Sequence, residues 1–177
     1  MCRFFAIIFA AVLTAYSVFA AFFGIFSTSW WTGPNNYEIG IATNCGNTDE
    51  INGFCTDFTW DAFANSTERA MAGLLIASVI LGLMCFCVMV FNIIFACCCI
   101  NLAGPMTGIL AVLNGLCLAA VCIVMGFYCH WEFPPLTDIV GSAFIIVIAA
   151  VPCTFIAAAL TGVHSFRSYG PSNDYKA

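Results

Sequence analysis

The chain has 177 residues, of which 63% are hydrophobic and only 7% are charged; soluble domains average about 45–50% apolar and about 25% charged residues. Because so little polar surface cannot cover a soluble globule, and because the mean hydropathy is +1.02, the composition predicts a small integral membrane protein. The 4 Lys and Arg residues form no basic patch that could neutralise phosphates, which argues against a nucleic-acid partner.

Four apolar stretches follow one another along the chain. Each is long enough to cross a bilayer as a helix, for which about 20 residues suffice. The length allows a single domain over residues 1–177. The predicted spans are residues 4–26, 70–96, 106–128 and 139–163.

The basic residues predict the orientation of these spans. Arg3, Arg167 and Lys176 lie at the termini, and the positive-inside rule therefore places both termini in the cytoplasm. The first stretch could instead be a cleaved signal peptide with the small-residue pattern Val18-Phe19-Ala20. We favour a retained span, because the apolar run continues to Phe26, well beyond the roughly 7–15 residues of a signal-peptide core.

The connections between the spans are unequal. The outer loop at residues 27–69 is long, whereas the outer loop at residues 129–138 is short, and residues 164–177 form a cytoplasmic tail. Every acidic residue except Asp174 lies in the two outer loops, which hold a single basic residue, Arg69. Specific recognition is therefore expected mainly in the first outer loop, with help from the second.

The first outer loop carries the pattern of β-structure. Residues 37–45 and 54–61 each alternate apolar and polar side chains, which indicates strands with one buried face, and Gly46-Asn47 and Asn52-Gly53 supply turn chemistry between them. The expected fold class is therefore an all-α transmembrane four-helix bundle with a small extracellular antiparallel β-sheet.

A disulfide between Cys45 and Cys55 is predicted to staple this sheet. Disulfides form and persist outside the cell, and units near 40 residues usually need such a staple. Closing so short a loop is worth roughly 3 kcal/mol in the chain-entropy model.

Other side chains are candidates for modification. Cys97, Cys98 and Cys99 fall where the second span reaches the cytoplasm, and Cys2 lies at the same membrane face, so all four are acylation candidates. Asn65 opens the glycosylation sequon Asn-Ser-Thr in the first outer loop. Its occupancy is left open, because it lies very close to the second span.

The spans offer little for catalysis or transport. They contain no Asp, Glu, Lys or Arg that could form a proton relay or an ion pathway. His130 and His164 fall on opposite sides of the membrane, and the cysteines of the spans lack neighbours that would suggest a metal site. We therefore expect neither an enzyme nor a transporter, and neither a cofactor nor a metal.

Polar and small residues within the spans are expected to pack the helices together. Asn92 and Asn114 are predicted to share a hydrogen bond between neighbouring spans. Small residues at four-residue intervals let helices approach closely, and we favour packing within the bundle over lateral oligomerisation. These small residues are Gly104, Gly108, Ala111, Gly115, Ala119, Ala158 and Gly162.

Several of these residues together resemble the signature of the claudin superfamily, which includes the peripheral myelin and epithelial membrane proteins. The signature reads Trp, Gly-Leu-Trp, Cys, Cys; this chain has Trp30, Gly40-Ile41-Ala42, Cys45 and Cys55, followed by the family's basic residue at Arg69. Ala42 thus replaces the second signature Trp. The likeness continues in the third and fourth spans at Gly108, Ile109, Gly115, Leu116, Cys117, Gly141, Ala143, Phe144, Pro152 and Gly162.

The resemblance implies a structural plasma-membrane protein of cell–cell contacts such as tight junctions. Such a protein assembles with itself or related claudin-like proteins, laterally and across cells, in epithelial adhesion or a paracellular barrier. It also implies palmitoylation after the second span. Asp49, Glu50 and Asp57 are candidate selectivity charges that would favour cations; a solvated acidic surface is the alternative interpretation.

Two further segments are similar to claudin features. Trp131, Phe133 and Pro134 resemble the aromatic–proline tip with which claudins meet the opposing cell, although an interfacial aromatic belt explains Trp131 equally well. The tail ends at Ala177, a weak version of the hydrophobic terminus that cytoplasmic scaffolds bind. Two other functions known in the superfamily remain open: an auxiliary subunit of an ion channel or neurotransmitter receptor, and a regulator of membrane growth.

Overall fold

The computed structural model contains four long α-helices, which account for most of the described chain. The described residues are 2–32, 38–41, 44–45, 66–95, 104–132 and 139–168. The helices are α1 (Cys2–Phe26), α2 (Ser66–Phe95), α3 (Gly104–Glu132) and α4 (Ser142–Ser168).

Each of the four helices is long and apolar enough to cross a membrane, and the chain is therefore a multi-pass membrane protein whose exposed apolar faces contact lipid. The predicted spans agree with the apolar segments of these helices to within three residues at every end. The fourth span begins at Ser142 instead of residue 139, because Ile139 and Val140 form a strand. The apolar segments are Phe5–Phe26, Arg69–Ile94, Pro105–Phe127 and Ser142–Gly162.

Four two-residue strands lie at one end of the bundle, next to the last residues of α1 and the first of α4. They pair antiparallel in the order β3-β2-β1-β4. We call this end the sheet end. The strands are β1 (Trp31–Thr32), β2 (Glu38–Ile39), β3 (Asn44–Cys45) and β4 (Ile139–Val140).

The prediction of one continuous strand over residues 37–45 is wrong. β2 and β3 pair with each other, with Ile39 opposite Asn44, so the chain reverses between them. Gly40 lies at the start of this reversal, where a residue without a side chain is readily accommodated. The other predicted strand, at residues 54–61, lies outside the described residues. The extracellular placement of the sheet stays a prediction.

The helices pack as a four-membered ring. α1 packs on α2 and α4, and α3 packs on the same two helices. α1 and α3 are therefore diagonally opposite across the bundle.

The buried core consists of two hydrophobic clusters. The larger cluster fills the sheet end, where Trp30 and Leu75 pack with residues from every helix. The smaller cluster lies at the opposite end, around Cys85 and Met89. Thr14 of α1 is buried between the two clusters. Next to it along the bundle each helix buries one polar side chain, and we call these four residues the central polar layer. They are Ser17, Ser78, Asn114 and Thr154.

Candidate recognition site at the sheet end

Trp30 is the central residue of the junction between the sheet and the bundle. Its side chain is 0% exposed, and its indole nitrogen donates a 2.6 Å hydrogen bond to the carbonyl oxygen of Gly24. Gly24 lies in the last turn of α1, where backbone carbonyls lose their partners within the helix. The ring of Phe144 in α4 meets the indole edge-on at a centroid distance of 6.2 Å, a favourable aromatic geometry. Trp30 therefore ties the end of α1 to the start of α4.

Gly24 makes room for this tryptophan. A Cβ atom at residue 24 would lie 2.9 Å from Cζ2 of Trp30 and 3.0 Å from Cγ2 of Val147. Both distances are shorter than ordinary van der Waals contacts between carbon atoms. Only glycine lets the indole lie flat against this turn of α1.

The reversal between β2 and β3 also packs onto the bundle. Gly40 is buried, and Ile41 is only 4% exposed and belongs to the same hydrophobic cluster as Trp30. Ile41 is buried in this reversal, whereas the alternating pattern of residues 37–45 predicted it within a continuous strand. Ala42, which replaces the second signature tryptophan, lies outside the described residues.

Backbone contacts clamp β1 against the beginning of α4. The amide of Gly141 donates to the carbonyl oxygen of Trp30 at 2.9 Å, and the amide of Ala143 donates to that of Ser29 at 3.0 Å. The second bond satisfies one of the first four amides of α4, which have no partner within the helix. A Cβ atom at residue 141 would collide with the backbone of Ser29, so glycine is required at this crossing.

Three serine hydroxyls meet at the same place. Oγ of Ser29 lies 3.1 Å from Oγ of Ser27 and 2.9 Å from Oγ of Ser142. The backbone amide of Ser29 also donates to Oγ of Ser27 at 3.2 Å. Together with the clamp, these bonds fix the geometry of the connection between α1, β1 and α4. No sequence motif marks this cluster; its signal in the sequence is the serines that flank the first and fourth spans.

The remaining predicted site residues are described in part or not at all. Arg69 is exposed near the start of α2, Cys45 is described through the backbone of β3, and Cys2 and Trp131 through the helices that contain them. The others lie outside the described residues, so the disulfide, the selectivity charges and the modification sites stay predictions. They are Asp49, Glu50, Cys55, Asp57, Asn65, Cys97, Cys98, Cys99, Phe133 and Pro134.

The prediction that small residues pack the bundle is confirmed where α3 meets α4. A Cβ atom at Gly108 would lie 3.8 Å from Cα of Gly162, and one at Gly115 would lie 2.6 Å from Oγ1 of Thr154. Ala111 and Ala158 are buried between them. These residues face the neighbouring helix of the same bundle.

The predicted hydrogen bond between Asn92 and Asn114 is wrong. The side chain of Asn114 bonds instead to Ser17 and Ser78. Asn92 lies fourteen residues beyond Ser78 along α2, a rise of about 21 Å, and therefore belongs to a different depth of the bundle.

The side chains at the sheet end are indole, hydroxyl and aliphatic groups that bond and pack with one another. Across the described ranges, no group of three His, Cys, Asp or Glu side chains lies close enough to hold a metal ion.

No protein-family model matches this chain, and a comparison with curated proteins gives no match either.

Proposed function

We propose that this chain is a claudin-like structural membrane protein of cell–cell contacts, which contributes to epithelial adhesion or to a paracellular barrier. The observation that carries the proposal is the burial of the residues on which the resemblance rests. Trp30, Gly40 and Ile41 are all buried where the sheet meets the four-helix bundle. A sheet held this firmly to its spans suits a protein that presents a rigid surface to another cell.

The orientation that fits this role places the sheet end outside the cell and both termini in the cytoplasm. Arg3, Arg167 and Lys176 support it through the positive-inside rule. The connections at the sheet end then carry nearly all of the acidic residues. The plasma membrane is the compartment in which such an acidic outer surface would meet a neighbouring cell.

We further propose that the acidic outer loops favour cations in any passage between cells. Fixed negative charge raises the local concentration of cations and repels anions. Asp57, close to the second signature cysteine, is the first candidate, and Asp49 and Glu50 lie between the two cysteines.

Assembly would use two surfaces. The exposed apolar helix faces allow lateral contact with copies of the chain or related proteins. Trp131, Phe133 and Pro134 of the second outer loop are the candidate contact with the opposing cell. Neither surface requires catalysis, a cofactor or a metal.

The test is expression in epithelial cells that lack claudins, with imaging of cell borders and measurement of transepithelial resistance and dilution potentials. We expect enrichment at cell borders and a permeability that favours cations. Asp57→Lys should reduce the permeability to cations relative to anions. Asp174→Lys makes the same charge change in the predicted cytoplasmic tail and should leave the dilution potential unchanged.

Diffuse surface staining with unchanged conductance would contradict the proposal. That outcome would favour the auxiliary-subunit function, and co-purification of the chain with an ion channel or neurotransmitter receptor would then identify the partner.

A further inference from the structure

The central polar layer interrupts the hydrophobic core at one depth. Each helix contributes one member to it, and the four side chains are between 0% and 2% exposed. Towards the sheet end the core returns to an apolar cluster, whereas towards the opposite end Thr14 is buried one turn from Ser17 before the second apolar cluster begins. The layer members are Ser17, Ser78, Asn114 and Thr154.

Asn114 joins three helices through its amide group. Oγ of Ser78 in α2 donates to Oδ1 of Asn114 at 2.5 Å, and Nδ2 of Asn114 donates to Oγ of Ser17 in α1 at 3.1 Å. Oγ of Ser17 in turn donates to the carbonyl oxygen of Thr14 at 2.8 Å. Because α1 and α3 are diagonally opposite, the bond from Asn114 to Ser17 crosses the centre of the bundle.

The surrounding packing leaves little freedom for the amide. A Cβ atom at Gly82 would lie 3.2 Å from Nδ2 of Asn114 and 2.6 Å from Cγ2 of Val18. Glycine at this position therefore lets α2 approach α1 and α3 closely enough for the hydrogen bonds to form.

Axial movement of a helix would break these bonds. If α3 moved by one turn, about 5.4 Å, towards the sheet end, the amide would leave both serines and enter the larger apolar cluster. Movement in the other direction would also break both serine bonds and would bring the amide to the depth of Thr14, whose hydroxyl already donates to the carbonyl oxygen of Ala10. A buried amide without partners is unfavourable, and lipid supplies no water to replace them. Only one axial register of α1, α2 and α3 therefore satisfies both hydrogen bonds of the amide.

We propose that Asn114 is a positioning residue: its hydrogen bonds to Ser17 and Ser78 select a single axial register for the bundle, and this register in turn holds the sheet end in one arrangement. A single buried asparagine specifies register in coiled coils by the same physical principle. The inference is independent of the proposed function.

The number of arrangements at the sheet end can be counted by NMR. The full chain, labelled with ¹⁵N at tryptophan and held in detergent micelles, has 4 tryptophans, and loss of one indole signal in Trp30→Phe identifies that of Trp30. Gly24, the hydrogen-bond partner of Trp30, lies seven residues or about 10 Å of helix rise from Ser17. The indole therefore reports on the sheet end without touching the layer.

In the unaltered chain we expect one Trp30 indole signal. In Asn114→Leu we expect that signal to split into two or more, or to broaden by exchange between registers. Thr154→Val is the matched control at the same depth, because Oγ1 of Thr154 donates within its own helix, to the carbonyl oxygen of Val151 at 2.7 Å. This control should keep a single signal.

One sharp, unshifted Trp30 signal in Asn114→Leu would overturn the proposal, even if the variant unfolds more easily, because Asn114 would then contribute stability alone. If Asn114→Leu does not fold, the double variant Ser17→Ala and Ser78→Ala decides the question. It removes both hydrogen-bond partners of the amide and leaves the sequence of α3 unchanged. A split signal there supports the proposal, and a single unshifted signal overturns it.

Discussion

The indole nitrogen of Trp30 lies 2.6 Å from the carbonyl oxygen of Gly24, so a residue four positions beyond the end of α1 bonds back to that helix. The same residue accepts a hydrogen bond from Gly141 through its carbonyl oxygen. One amino acid thus links the end of α1, the strand β1 and the entry to α4. Substitutions at Gly24, Trp30 or Gly141 should therefore each change the arrangement of the sheet end.

Trp30→Phe tests the indole bond while keeping an aromatic ring. We expect it to lower the free energy of unfolding by about 1 kcal/mol, the net contribution of a typical hydrogen bond, whereas Trp30→Ala should lower it by about 3–5 kcal/mol through loss of packing. SDS-induced unfolding in mixed micelles measures both changes. Equal stability of Trp30→Phe and the unaltered chain would show that the bond contributes nothing.

Gly24→Ala should destabilise the protein by about 1–3 kcal/mol, the usual effect of overpacking a core, because the new methyl group would press on Trp30 and Val147. Gly73→Ala is the matched control in α2, where a Cβ atom would have no neighbour within 4 Å. The control should be neutral or slightly stabilising, since alanine favours helix formation over glycine. The same unfolding measurement applies, and equal effects of the two substitutions would contradict the described packing.

Gly141→Ala should have a larger effect than Gly24→Ala. The added methyl group would meet the backbone of Ser29, and a backbone cannot move aside as a side chain can. We expect a loss of about 3 kcal/mol or more, accompanied by a shift of the Trp30 indole signal. Gly126→Ala, at a position where a Cβ atom would have no neighbour within 4 Å, should leave both readouts unchanged.

Gly115 and Thr154 should be energetically coupled across the contact between α3 and α4. Gly115→Ala would place a methyl group 2.6 Å from Oγ1 of Thr154, and we expect it to cost about 1–3 kcal/mol. In the background of Thr154→Ala the cost should be smaller, because the clashing hydroxyl is gone. A double-mutant cycle measures the coupling, expected at about 0.5–3 kcal/mol; strictly additive effects would contradict this contact.

Cys55→Ser tests the predicted disulfide of the first outer loop. We expect it to lower the free energy of unfolding by roughly 3 kcal/mol and to make Cys45 reactive towards a membrane-impermeant maleimide without prior reduction. The unaltered chain should react at this position only after reduction. Labelling of both cysteines in the unreduced, unaltered chain would show that they are free thiols.

The membrane spans were predictable because they depend on local composition. A bilayer requires every backbone polar group to be satisfied within the helix, so a long apolar segment has one structural outcome. The helix α4 begins three residues later than the predicted span. Apolar residues such as Ile139 and Val140 are compatible with a strand as well as with a helix, so composition does not distinguish the two. Their pairing with β1 depends on a segment that lies more than one hundred residues earlier in the chain.

Partners within the bundle could not be predicted in the same way. Asn92 and Asn114 were predicted at comparable depth in neighbouring spans, yet Asn114 bonds to Ser17 and Ser78, and Asn92 lies about 21 Å of helix rise from Ser78. The sequence does not give the axial offset between two helices or the rotation of each helix about its axis, and both decide which side chains meet. Ser17 and Ser78 were unremarkable in the sequence because a serine within a span commonly bonds to its own helix.

The sequence alone therefore determined that this protein lies in the membrane, how many times it crosses, and that an acidic loop with a strand pattern follows the first span. These properties follow from composition and short-range periodicity. The tertiary structure alone decided that Trp30 closes the end of α1 against α4, that residues 38–45 reverse direction, and that one asparagine joins three helices at the centre of the bundle. The first and last of these relationships join residues distant in the chain, whereas the reversal is local. All three depend on close packing, which a linear pattern does not encode.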